Sequence, residues 1–104
     1  MAQYILFFRG SKYSNLSSDY TQKWTLWTSK LKKSGYFING ALLIEDGKII
    51  KNQGRMIEDF IFDFNENASA FLVIEAADMD SAILISRDCP IFELGGNITI
   101  RPIP

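Results

Sequence analysis

The densest group of side chains able to move protons runs from Glu58 to Glu66, E-D-F-I-F-D-F-N-E. Four carboxylates are interleaved there with Phe60, Ile61, Phe62 and Phe64. A carboxylate held in an apolar cleft has a raised pKa and exchanges protons near neutral pH. On that reading Asp63 and Glu66 are a general base and its partner, with Arg9 or Arg55 holding an anionic substrate. A solvated acidic loop is the plainer outcome for such a run. The chain contains no histidine, so the side chain best suited to proton transfer near pH 7 is missing. Acid–base work would fall to carboxylates, tyrosines, lysines or the thiol. The acidic run lacks the ligand spacing of a known calcium loop, and no metal site is expected.

Cys89 is the only cysteine, which excludes an intramolecular disulfide and fits a reducing compartment. It precedes Pro90 at the end of an expected helix, where the dipole disfavours a thiolate. With no histidine to activate it, a papain-like role is excluded, and a buried structural cysteine is the better reading. Gly95-Gly96 lacks the spacing of any nucleotide fingerprint, and no cofactor is implied.

The elements that must position these residues fit one domain, residues 1–104. An apolar fraction of 47% is that of a packed globular chain, and the 13% aromatic content is high. Rings make a small core viable and also suit interfaces. The net charge of −1 offers no electrostatic case for nucleic acid or an anionic membrane. The start of the chain is apolar only from Tyr4 to Phe8, too short for a signal peptide or a span, so a cytoplasmic protein is expected.

In chain order, Tyr4 to Phe8 predicts a central strand ended by Arg9-Gly10, and Ser11 to Ser18 a polar turn. Ser17 or Ser18 would cap a helix whose stripe is Leu16, Tyr20, Trp24, Trp27 and Leu31. Asp19 suits the positive end of its dipole, Lys30, Lys32 and Lys33 the negative end, and Gly35 its C-terminal stop. Trp24 and Trp27 read as core packing rather than a platform for bases. Tyr36 to Ile44 predicts a strand bent at Asn39-Gly40, and Asp46-Gly47 a hairpin turn returning as Lys48–Lys51. The spacing of Phe60, Phe62 and Phe64 hints at extended structure over 55–67, packed on the sheet or another subunit and closed by a turn at Asn65–Asn67. Phe71 to Ile74 is a further strand. Asp78 caps a second helix that turns Ala82, Ile83 and Ser86 inward, and Pro90 stops it. Gly95-Gly96-Asn97 turns into a last strand, Ile98 to Arg101.

The order β-α-β(-β)-β-α-β predicts an α+β fold: a ferredoxin-like βαββαβ sandwich with an added hairpin, an antiparallel sheet and helices on one face. The uncovered face predicts a homodimer packed through it. The opening Tyr4–Gly10, the helix with Trp24, Trp27, Leu31 and Gly35, the Gly40–Gly47 turn and the A-A-D-M-D-S-A and C-P segments are then arranged in a familiar way. So is the ending Ile98–Ile103. In that order the chain resembles the YCII-related family, in its DGPF-type branch. The resemblance implies a dimeric α+β barrel. It also puts the branch's Asp-Gly-Pro-Phe signature on Glu58 to Glu66, where the Gly-Pro is gone and Asn65 replaces the lysine. Family members proposed as enzymes resemble one another in a His–Asp pair that this chain lacks. Three readings stay open. One is a small-molecule-binding dimer around an aromatic pocket, with Arg9, Trp24, Trp27, Arg55 and Phe62 facing a small organic ligand. The others are a lyase or isomerase using Asp63 or Glu66, and a protein-interaction domain.

Overall fold

The computed structural model describes residues 1–10, 18–63 and 65–104, with the first three residues of the long helix described in backbone alone. Ser11 to Ser17, Leu16 and Phe64 therefore lie outside the described residues, as do the side chains of Ser18, Asp19 and Tyr20. The elements in order are β1 (Ala2–Arg9), α1 (Ser18–Lys33), β2 (Phe37–Leu42), β3 (Lys48–Lys51) and β4 (Met56–Asp59). They continue with β5 (Ala70–Ala76), α2 (Met79–Ser86) and β6 (Asn97–Ile103), after a 3-10 turn at Pro90–Leu94.

Four strands form one antiparallel sheet in the order β2-β5-β1-β6. With α1 between β1 and β2 and α2 between β5 and β6, this is an α+β arrangement compatible with a ferredoxin-like fold. Side chains alternate between the faces of a strand, and Tyr4, Leu6 and Phe8 turn one way with Leu72 and Ile74 from the neighbouring strand. Trp27 and Leu31 of α1 and Ala82 of α2 pack on that same face, so both helices share it. Leu6, Phe8, Ile74 and Ile91 are the largest side chains fully removed from solvent.

Local chemistry accounts for the helix ends. The α1 terminus closes with Gly35 N–H donating to Lys32 O and Tyr36 N–H to Leu31 O, the paired bonds that end a helix at a left-handed glycine. Asp78 accepts from the Ser81 backbone N–H at 2.8 Å and caps α2. Of the residues expected on the inner face of α2, Ala82 and Ser86 are buried, but Ile83 is exposed. The helix has only eight residues, and Ile83 falls one residue beyond the narrow strip that touches the sheet. No described helix is long and apolar enough to cross a membrane.

The hairpin expected at Asp46-Gly47 is not formed. Strand β2 pairs with β5, while β3 pairs with β4 in a separate two-stranded ribbon. Tight hairpin turns need residues at positive φ. Asn52, Gln53 and Gly54 all have it and Gly47 does not, so the chain reverses at residues 52–54. Asp46 instead accepts from the Gly47 N–H, and the Gly47 carbonyl accepts from Phe60 N–H at 3.2 Å, closing the base of the ribbon. The bulge in β2 falls at Ile38, one residue before the expected Asn39-Gly40. Of the two packings expected for 55–67, residues 56–59 do not take the first, since they pair with β3 in the ribbon rather than lie on the four-stranded sheet.

Candidate functional site

The same alternation that sends Phe8 to the helices sends Ile5, Phe7 and Arg9 to the other face of the sheet. Register places Phe71 opposite Phe7 and Val73 opposite Ile5 on β5, and Thr99 and Arg101 opposite the same two residues on β6. This face has an apolar centre of Ile5, Phe7, Phe71 and Val73, and neither helix covers it. Arg9 stands at its end, where β1 stops. Its Nη1 donates to Thr99 Oγ1 at 3.2 Å. Its Nε is sealed from solvent and, among the described residues, has no acceptor. An unsatisfied buried donor costs about 1–3 kcal/mol, more when it carries charge. The arrangement can accept an anion: the guanidinium is held by Thr99, shares its face with Phe7, and among the described residues lacks an acceptor for Nε.

Trp24 and Trp27 lie on the opposite, helix-covered face, so they do not join Arg9. Both meet Phe8 edge to face, with centroids 5.2 and 6.2 Å apart, and meet each other at 5.7 Å. Trp27 is 5% exposed and is a core residue. Trp24 is half-buried and walls a cleft of about 200 Å³ between α1 and β2, with Thr28, Lys32, Phe37 and Leu72. The Lys32 ammonium sits 4.9 Å from the Phe37 ring centroid at its rim. The cleft is small beside ligand pockets of about 300–1,000 Å³. A wider groove of about 400 Å³ separates α1 from the Pro90 turn, and Lys23 and Glu93 bridge it at 2.9 Å. Cys89 borders this groove. Burial pushes its thiol up to about 12, with a backbone hydrogen bond from Ile91 pulling partly back. The thiol stays protonated and inert, as a structural cysteine should.

The remaining candidates are dispersed. Arg55 is exposed at the far turn of the ribbon, just after Gly54. Phe62 is half-buried and meets Phe60 at 6.4 Å between centroids. Asp63 is exposed and works as a turn former: its Oδ1 accepts from Asn65 N–H at 2.8 Å, and its carbonyl accepts from Glu66 and Asn67. That produces the turn expected at 65–67. Glu66 is exposed beside it. Glu58 and Asp59 leave the acidic group altogether, bonded to Lys51 and Lys48 across the ribbon. The sequence alone does not join Thr99, Phe7 and Phe71 to Arg9. The i, i+2 spacing of Phe7 and Arg9 puts those two on one face, but Thr99 and Phe71 reach them only through strand register.

No family model matches this chain, and no curated protein sequence matches it. What the geometry defines is an α+β domain with an antiparallel sheet, two described helices on one face, and an arginine-ended apolar surface on the other.

Proposed function

We propose that this chain binds a small organic anion at the Arg9 end of the open sheet face, and that a second copy packs over that face to enclose it. The observation that carries the reading is Arg9 Nε, a cationic donor removed from water with no acceptor among the described residues. Folding keeps such a group only against a cost, and a ligand carboxylate or phosphate would offset it with a charge-assisted bond. Phe7 and Phe71 would supply the flat apolar contact beside it. The apolar centre of the face supports the homodimer, the YCII-like dimeric barrel that the resemblance implies. Catalysis by Asp63 or Glu66 draws less support, since both are exposed and Asp63 is occupied with its own turn.

Light scattering at micromolar concentration should give twice the 11.8 kDa mass of the chain. A thermal-shift series of small aromatic and aliphatic carboxylates and phosphate monoesters should raise the melting temperature for at least one class. A monomer, or a flat response to the whole series at millimolar ligand, would sink the reading.

A further inference from the structure

The β3–β4 ribbon is the part of the molecule that the single chain uses least. It has no substantial packing against the four-stranded sheet or either helix among the described residues. The radius of gyration is 15.1 Å, against about 13 Å for a compact domain of this length. Ile50 and Ile57 are direct cross-strand partners on one side of the ribbon, 68% and 66% exposed. Ile44 and Ile61, also exposed, flank its base. Beside this apolar pair, on the same side, Lys48 and Asp59 cancel each other, while Lys51 and Glu58 cancel on the opposite side. A side so composed is suited to an apolar protein surface and offers nothing to a polyanion.

The area required by a dimer identifies the occupant. A face seven residues long and four strands wide, at about 3.4 Å per residue and 4.8 Å per strand, measures about 450 Å². Two such faces bury about 900 Å², well short of the roughly 1,600 Å² of a stable interface. The ribbon, with paired strands of four residues each, is about 14 Å long and two strands wide and has about 130 Å² on each side. Two ribbons, each burying one side and an equal patch of the other subunit, add about 500 Å² and bring the total to about 1,400 Å², inside the range of about 1,200–2,000 Å² for stable interfaces.

We infer that the β3–β4 ribbon is a dimerisation arm, laid by its Ile50–Ile57 side across a second copy of this chain. The inference rests on the dimer of the proposed function and adds the element that makes that dimer stable. The test measures self-association of the wild type and of an Ile50→Ser/Ile57→Ser variant by analytical ultracentrifugation. Both isoleucines are exposed in the protomer, so the variant should keep the wild-type circular dichroism. Its dimer dissociation constant should rise at least about tenfold, as loss of buried apolar anchors on both arms requires. A monomeric wild type overturns the dimer and the arm with it. A dimeric wild type whose variant associates equally well overturns the arm alone. Trypsin supplies a second measurement on the unaltered chain, since Lys48, Lys51 and Arg55 lie in the ribbon. Cleavage there should slow as protein concentration passes the dissociation constant. Cleavage that ignores concentration, or slows only when a ligand is added, overturns the arm, and the latter result makes the ribbon a lid.

Discussion

Replacing Arg9 by methionine separates a ligand-holding arginine from a structural one. Methionine keeps the length and the apolar stem but removes every N–H. Loss of the Nη1 bond to Thr99 costs about 1 kcal/mol, while removal of the orphaned Nε relieves about 1–3 kcal/mol. The ligand-free variant should therefore be no less stable than the wild type and up to about 2 kcal/mol more stable. For a chain of this size each kcal/mol moves the melting temperature by about 4–8 °C. Urea melts followed by circular dichroism, at one fixed protein concentration because association adds to apparent stability, give the first number. The second comes from repeating the thermal-shift series with the variant, where stabilisation by anions should vanish. An unliganded variant that loses more than about 2 kcal/mol would mean that Nε is satisfied in the folded protein. Anion stabilisation that survived the substitution would show that the ligand sits elsewhere.

Gly96→Ala should destabilise by about 1–3 kcal/mol in the same melts, because an added Cβ would stand 2.7 Å from the Arg9 carbonyl and press on Ile91; an unchanged midpoint would contradict the packing of the β6 turn. Asp78→Ala should lower the melting temperature at neutral pH by uncapping α2. The Ser81 N–H holds the Asp78 carboxyl below its ordinary value, so its contribution is present above the unfolded pKa of about 3.9 and is lost as the pH falls through the lower folded value. Wild type and variant should converge in acid, and a constant gap down to pH 2 would refute the cap. Cys89 should resist thiol reagents at pH 8 while the chain is folded and react once urea unfolds it. Since burial raises its pKa to about 12, the neutral thiol's contribution is complete below the unfolded pKa of about 8.5 and is lost as the pH rises from there toward 12. Rapid labelling of the native protein would contradict its burial.

Period and capping chemistry made most of the fold legible. The helices, the central strand from Tyr4, the Asp78 cap and the Gly35 stop are all set by neighbours within a few residues. What failed was the pairing of the 37–59 segment. Asp46-Gly47 and Asn52-Gln53-Gly54 both carry turn chemistry, and composition alone does not decide which one takes positive φ. The decision is tertiary: β5 takes one edge of β2, and the Gly47 carbonyl is engaged by Phe60. That leaves β3 to pair forward with β4. The acidic run dissolved for the same reason. Once β3 and β4 are paired, Lys48 and Lys51 lie within reach of Asp59 and Glu58, and only Asp63 and Glu66 remain outside the ribbon.

The site was harder to read because β1 is apolar on both sides. In a strand with one wet face, polar residues mark the outside. Here Ile5 and Phe7 are as apolar as Leu6 and Phe8, so sequence cannot say which set meets the helices. Trp24, Trp27 and Arg9 could then be imagined around one pocket, although Phe8 and Arg9, adjacent in the chain, point to opposite sides of the sheet. The ambiguity is itself informative. A face meant for water would not place Ile5, Phe7, Phe71 and Val73 at its centre. Around them the polar residues lie at the margins: Gln3 opposite Glu75 at one end, Asn97 opposite Arg9 at the other, and Thr99 and Arg101 along the β6 edge. An apolar centre inside a polar border is the anatomy of a protein interface. On the proposed reading, Arg9 Nε, which has no acceptor among the described residues, is the donor at that border that a bound anion would satisfy.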